Sequence, residues 1–530
     1  MRGVQPAATI TQLNRRRVIL IHLLIPLGFF LLVMLLGQWA KPFQYDPDEG
    51  LNLMKAALLS RGYPLYRAIW NDQPPMDTVM RAGVFAVVGR SALAARVMTA
   101  LLATLAVWAM LDMVSRLHSL RAGIAAVVLL IVSAHFLKLS YAVMIGLPAL
   151  ALTVASFNLL SRWAAGGSRA ALIGSGAVMA VAIATKMFAA VAIPAALAMI
   201  WIAVLQRDSK PKARFVPMLA WIAATLIGCA IIYAIFRPPS DQLIAPHRTA
   251  SESRPWWSAP AALLVARRDG DLLLLAVGAA ALLLIGRARN PYLAVPLIWF
   301  TCAAIAIQMH RPVRYHHSLL LVIPAAWAGG IFVDAMMALH DPARRWSSRA
   351  QRVALGAFLI VLPVWQAGKF IASARRVLDT KMRREERALV AAMNERRDQT
   401  RWVVTDLQIY PFAAGLLSPP ELVVTSSKRR DTGAMSDELV LDVLQRYRPE
   451  QVLLGRLDFG PMVTQFVDAN YHLVGRYKIG TPQPARLYLI GKDPTPAATQ
   501  PAKRRKKRPP PATSPRQATQ RGSDSPVQVN

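Results

Sequence analysis

The chain is built from apolar blocks about as long as a bilayer-crossing helix, separated by short basic loops. A hydrocarbon core ~30 Å thick takes roughly 20 residues at 1.5 Å per residue. Blocks of that kind fall at residues 18–37, 92–114, 122–136, 139–160, 170–184, 187–205, 215–236, 271–285, 292–308, 318–337 and 353–371. Of 530 residues, 55% are hydrophobic and 17% charged, where soluble domains carry roughly a quarter charged. The pattern predicts a polytopic α-helical membrane protein of about eleven spans. Arg15-Arg16-Arg17 precedes the first block, and Gln38-Trp39-Ala40-Lys41 after it is a poor cleavage site, so that block reads as a retained span.

Loop charge orients the spans. With residues 1–17 in the cytoplasm, the short loops on that side carry Arg116 and Arg121, Arg162 and Arg169, Arg207 with Arg214, Arg287 and Arg289, and Arg344 with Arg352. That is the positive-inside distribution. The opposite side receives a loop at 38–90, a second long loop at 237–270, and everything after the last span. The expected location is the cell (inner) membrane, with the C-terminal residues extracytoplasmic. The formal charge of +33 resides largely in these loops and in a basic tail, so membrane lipid is the implied partner and nucleic acid is not.

The membrane part is expected at residues 18–372, with a charged connector at 373–400. Residues 401–493 change character. Short strands at 402–405, 421–424, 451–454 and 486–489 alternate with helical runs at 411–417, 436–447 and 461–470, which suggests a small α/β domain. Residues 494–530 are rich in Pro, Thr, Gln and Ser and contain the run Lys503 to Arg508. They lack the apolar residues to pack and suit anionic head groups or a cell-wall polymer. Cys229 and Cys302 are far apart within apolar blocks, lack metal-ligand spacing, and read as small buried side chains.

Chemistry concentrates in Tyr45-Asp46-Pro47-Asp48-Glu49-Gly50, directly after the first block. Helix capping explains part of it, with Asp46 as N-cap, Pro47 first in the helix and Glu49 closing a capping box. Asp48 is left over. Clustered carboxylates at a partly dry surface push at least one pKa toward the range of a general base.

The order of further motifs is informative. After the acidic pair come Gly62-Tyr63-Pro64-Leu65-Tyr66, Trp70-Asn71-Asp72-Gln73-Pro74-Pro75, Arg96 opening the second block, Thr185-Lys186, Arg314-Tyr315-His316, and Trp327-Ala328-Gly329-Gly330. This series resembles the protein O-mannosyltransferase and aminoarabinose-transferase superfamily, membrane glycosyltransferases of the GT-C fold. The resemblance spans residues 18–337 and, more loosely, the soluble domain. It implies a polyprenyl-phosphate sugar donor, an extracytoplasmic acceptor and an inverting transfer. Asp48 would be the base, with Glu49 beside it. Lys186, Arg311, Arg314 and His316 would meet the leaving phosphate, with Arg248 and Arg254 as further phosphate contacts from the second long loop. Tyr66, Asp72, Trp256 and Trp257 would be substrate-loop residues.

No cofactor is required by this reading. A divalent metal ion on Asp48 and Glu49 is compatible with it, and His316 with His317 lacks matching ligand spacing. One departure stands out: relatives often carry a second acid near the fourth span, where this chain has Gly146 within Tyr141 to Pro148. Two other function classes remain open. One is a transporter or flippase for a lipid-linked sugar, although no paired repeat is evident and the charges lie at span ends. The other is a non-catalytic scaffold that binds the carrier lipid.

Overall fold

In a computed structural model of the chain, the structure describes residues 12–40, 43–207, 214–252, 261–286, 290–310, 313–339, 349–379 and 382–491. The predicted tail at 494–530 lies outside them, as do most of residues 1–17. The membrane part runs α1 (Gln12–Ala40), α2 (Asp48–Leu59), α3 (Met76–Val88), α4 (Ala92–Leu117), α5 (Leu120–Val132), α6 (Ala134–Leu139), α7 (Gly146–Ala164) and α8 (Arg169–Thr185). It continues with α9 (Ile193–Gln206), α10 (Phe215–Phe236), α11 (Ser240–Leu243), α12 (Ala245–Glu252), α13 (Ala261–Leu284), α14 (Ala294–Met309), α15 (Leu319–Leu339) and α16 (Arg349–Leu378).

A helix stands at each predicted span, and the protein is a multi-pass membrane protein. Among the described residues, 7 helical segments have both the length and the composition to cross a bilayer, from Arg16–Gly37 to Leu355–Leu378. Leu120–Val132 and Arg169–Thr185 are apolar but shorter, so the count of eleven crossings is not carried by helix length alone. Leu23, Leu24 and Leu27 on α1 and Leu219, Leu226 and Ile235 on α10 are exposed apolar side chains, the surface that lipid covers. α15 is the central post, with Leu319 to Gly330 buried along its length. A Cβ at Gly330 would stand 2.5 Å from the Ala126 backbone nitrogen, so only glycine lets α15 and α5 approach this closely.

α2 begins at Asp48, with Pro47 at the N-cap, one residue later than the capping reading places it. Asp46 Oδ1 accepts from the Asp48 N–H at 2.9 Å, and Glu49 Oε2 reaches back to the Tyr45 N–H at 2.6 Å. The reciprocal logic of a capping box survives, shifted along the chain. The predicted interfacial stretch 76–89 is α3, whose Arg81 is fully buried and forked onto Asp77 at 2.9 Å through two nitrogens.

After α17 (Arg384–Asn394), in the expected connector, the C-terminal sheet domain contains β1 (Val403–Thr405), α18 (Ile409–Ala413), α19 (Ser427–Asp431), α20 (Asp437–Tyr447), β2 (Gln451–Leu454), α21 (Pro461–Asn470), β3 (Tyr471–Tyr477) and β4 (Ala485–Ile490). The sheet order is β1-β2-β4-β3, with β1 and β2 parallel and the other pairs antiparallel. The expected strand at 421–424 is absent: Pro420–Leu422 is a 3-10 turn, consistent with the missing donors of Pro419 and Pro420. β3 was not foreseen, because it is a mostly exposed edge strand whose register shifts between Leu473 and Gly475.

The sheet domain is seated on the membrane part. Leu53, Met54 and Leu58 of α2 share one apolar core with Leu389, Tyr410, Phe412 and Leu487. A Cβ on Gly50 would stand 2.3 Å from the Ile409 nitrogen, so α2 and α18 meet backbone to backbone. Arg90 then donates to the carbonyls of Pro411, Phe412 and Leu416 at 3.2, 2.9 and 2.7 Å.

Candidate active site

This docking encloses a cavity of about 460 Å³. One wall belongs to the membrane part: Asp46, Asp48 and Lys55 around α2, Asp72 in the following loop, Gly146 at the start of α7, Lys186 after α8, and Arg314 to His317 before α15. The other wall is Ser426, Lys428 and Arg456 of the sheet domain.

Asp48 and Glu49 are adjacent in sequence and face different ways. Successive residues turn about 100° on a helix, so one acid meets the cavity and the other the protein. Asp48 lines the cavity, half-buried. Burial pushes its carboxyl up, the neighbouring Asp46 charge pushes it further, and the Arg456 and Arg314 guanidiniums partly oppose this. Such a carboxyl is tuned toward proton transfer. Asp46 is oriented by the Tyr315 hydroxyl, which donates to its Oδ2 at 2.9 Å.

Glu49 is fully buried and does not line the cavity. Its Oε1 accepts from the Val143 N–H at 2.7 Å, and its Oε2 from the Tyr45 N–H and, at 3.3 Å, from Arg96. Its predicted place beside Asp48 in catalysis is therefore corrected to a structural one. A divalent ion shared by Asp48 and Glu49 does not fit this geometry. No cluster of three His, Cys, Asp or Glu side chains suited to a metal occurs among the described residues.

Lys186 faces the position where a second acid would stand, at ordinary contact distance. A Cβ at Gly146 would lie 3.7 Å from Lys186 Nζ. Burial pushes the Lys186 ammonium down to about 8, against the pull of Asp48 and Asp72. Asp72 forms an ion pair with Lys428, and His247 lies 3.9 Å from the same carboxylate. Burial alone would raise Asp72, but the Lys428 charge and His247 outweigh it and hold the carboxyl at about 2.

Residues 72–235 match the family of dolichyl-phosphate-mannose-protein mannosyltransferases. Among solved structures, ArnT from Cupriavidus metallidurans bound to undecaprenyl phosphate superposes with a TM-score of 0.59 at 13% identity, over 90% of this chain and 99% of that one. The apo form of ArnT gives 0.58 at 14% identity, over 90% and 100%. The oligosaccharyltransferase AglB from Archaeoglobus fulgidus, in complex with an inhibitory peptide and a dolichol-phosphate, gives 0.54 at 11% identity, over 81% and 69%. The chain has the GT-C fold. No curated protein matches it in sequence.

On this GT-C framework the residues picked from sequence separate into three groups. Asp48, Asp72, Lys186, Arg314 and His316 meet in one cavity. Tyr66 does not join them: it is buried with φ 69°, and its hydroxyl donates to the Gln73 carbonyl at 2.6 Å. Arg248 is exposed on α12 and does not line the cavity. Arg254, Arg311, Trp256 and Trp257 lie outside the described residues.

Sequence reading missed Lys428 and Arg456. Arg456 stands two residues past the end of β2, and Asp406 directly follows β1; the two strands are parallel neighbours. Ligand-facing residues of α/β sheets gather beyond the carboxyl ends of parallel strands, a rule that marks Asp406 and Arg456 but not Lys428, which stands on α19. Asp406 accepts the N–H groups of Gly455 at 3.1 Å, Arg456 at 2.6 Å and Leu457.

Proposed function

We propose that this protein is a glycosyltransferase that moves a sugar from a polyprenyl-phosphate donor to an acceptor hydroxyl on the extracytoplasmic side of the cell membrane. The observation that carries this reading is the meeting, in one cavity, of a carboxyl tuned upward and cations placed to hold an anion: Asp48 with Lys186 and Arg314. The lipid phosphates seen with ArnT and AglB support a donor of this class, as does the family matched by residues 72–235.

In this mechanism the acceptor hydroxyl gives its proton to ionised Asp48 as its oxygen attacks the anomeric carbon. The new C–O bond forms opposite the breaking bond to the carrier phosphate, and the configuration inverts. The departing phosphate monoester gains negative charge, which Lys186 and Arg314 meet without reorganisation. Asp46, fixed by Tyr315, keeps Asp48 from acidifying too far to act as a base. Arg456 keeps it from remaining protonated. No step is routed through a metal.

The test is turnover by the purified full chain in lipid nanodiscs, offered a panel of polyprenyl-phosphate sugars and an extracytoplasmic lipid and glycan extract. Release of polyprenyl phosphate together with a sugar-modified acceptor is the expected result. Sugar counterflow across proteoliposomes without any transfer would replace this reading with transport.

A further inference from the structure

A second cavity, of about 130 Å³, lies beside the first and is lined by Tyr45, Ala134, Lys138, Arg268, Ser373, Arg376 and Val377. We propose that it binds the phosphate head group of a membrane lipid. Three of its lining side chains are cationic and none is acidic. The surrounding acids are committed elsewhere: Asp46, whose charge reaches Lys138, accepts from the Tyr315 hydroxyl, and Glu49 accepts from the Tyr45 and Val143 N–H groups and from Arg96. Asp269 accepts from Ser133 Oγ at 2.9 Å and from the Ala134 N–H at 3.1 Å, pairs with His135 at 2.6 Å, and lies 3.2 Å from Lys369. Asp271 is held by Gln366 and Lys369.

A hydroxyl in the same cavity is also left over. Tyr45 is 7% exposed, and its OH has no hydrogen-bond partner among the described residues. Burying a hydroxyl without a partner is unfavourable, and a phosphate oxygen would satisfy it. Three cations and a hydroxyl around a space several times the ~30 Å³ share of one water match a tetrahedral anion with several acceptor oxygens. The guanidinium of Arg376 is already oriented: Nε donates to the Ala372 carbonyl at 3.0 Å and a terminal nitrogen to Ser373 Oγ at 3.4 Å.

The surroundings point to a lipid. Arg376 sits in the last turn of α16, and the same helix exposes Ile360, Val361, Val364, Trp365 and Ile371. From Ile371 to Arg376 is about 7.5 Å along the axis at 1.5 Å per residue. A head group in the cavity would therefore leave its chain lying on that apolar face, with the cations at the membrane edge. The site also abuts the catalytic acids. Tyr45 precedes Asp46 in the chain, and Lys138 Nζ stands 4.3 Å from the centre of the Tyr315 ring, whose hydroxyl holds Asp46.

A bound carrier phosphate and a bulk phospholipid share this chemistry; only the carrier arm rests on the transferase reading. The experiment is native mass spectrometry of the detergent-solubilised full chain with polyprenyl phosphate, phosphatidylglycerol, phosphatidylcholine or inorganic phosphate. For wild type, two polyprenyl phosphate adducts are expected. The Arg268→Gln/Arg376→Gln double variant should lose one and keep the other, and Tyr45→Phe, a milder change, should weaken the same one about fivefold. Phosphatidylglycerol retained by wild type and lost by the double variant would identify bulk lipid as the source and still support the site. A single adduct in wild type with no phosphatidylglycerol retained, adducts unchanged in both variants, equal loss of phosphatidylcholine, or retention of inorganic phosphate but of no lipid would each overturn it. Two adducts without any sugar transfer would remove the transferase reading and leave this site standing.

Discussion

Asp406 carries the backbone of Arg456. The two residues are 50 positions apart, and the Arg456 N–H donates to Asp406 Oδ2 at 2.6 Å. Flanking N–H groups of Gly455 and Leu457 converge on the same carboxylate, so the turn after β2 is fixed and Arg456 is delivered to the cavity that Asp48 lines. Asp406→Asn replaces one acceptor oxygen with an NH2 group that opposes these donors. Turnover should fall roughly 10–100-fold, the scale of a small misplacement in a site. Its pH profile should move in the same direction as that of Arg456→Gln, which a merely structural defect would not produce.

The pH dependence has a defined sign. Asp48 must be ionised to accept a proton, and burial with Asp46 beside it places its pKa above the usual carboxylate range. Activity should therefore fall on acidification at a pH higher than an ordinary aspartate would give. Arg456→Gln removes a charge that lowers this pKa, so the acid limb should move up. Asp46→Asn removes a charge that raises it, so the limb should move down. Profiles of kcat/KM against pH for both variants check this, and a common direction of shift would refute the assignment.

Asp48→Asn keeps the shape of the side chain and removes the base. Transfer should drop by roughly 10²–10⁴-fold, with donor binding and thermal stability near wild type. Near-normal turnover in this variant would remove Asp48 from its role.

Gly146→Asp would place a carboxylate where the glycine now faces Lys186, its Cβ position 3.7 Å from Nζ. The residue begins α7, a position that tolerates and favours aspartate. The variant should fold, and the neutralised lysine should raise the KM for the donor about tenfold, equivalent to ~1.4 kcal/mol. Steady-state kinetics with varied donor concentration measure this.

Gly50→Ala tests the docking of the two parts. Its Cβ would meet the Ile409 backbone nitrogen at 2.3 Å, and backbone cannot swing aside. A loss of about 1–3 kcal/mol is expected, read as a lower Tm and faster proteolysis of residues 401–491. Wild-type stability would contradict the close contact.

Much of the membrane part was readable because its signals are local. An apolar block announces a span without reference to any other residue, and Asp48, Asp72 and Lys186 stand in short motifs. The errors arise where direction matters. Nothing in Asp48-Glu49 tells which acid faces the cavity until the start of α2 is known, and the capping reading put that start one residue early. Tyr66 looked like a substrate contact because it follows a loop motif, but its hydroxyl closes that loop on itself. Lys428 carried no local signal, and the strand-end position of Arg456 does not tell which cavity it enters: both reach the site only through a docking of distant segments, across the core that joins α2 to the sheet domain.

The same arrangement orders events during synthesis. Residues 424–457 follow every membrane helix in the chain, yet they supply one wall of the chamber. The bundle is therefore inserted while Asp48 still lacks Arg456, the larger of the two guanidinium influences on it, and that part of the chamber is complete only when the sheet folds and settles onto Gly50. On the proposed reading, turnover begins only when that late step is complete.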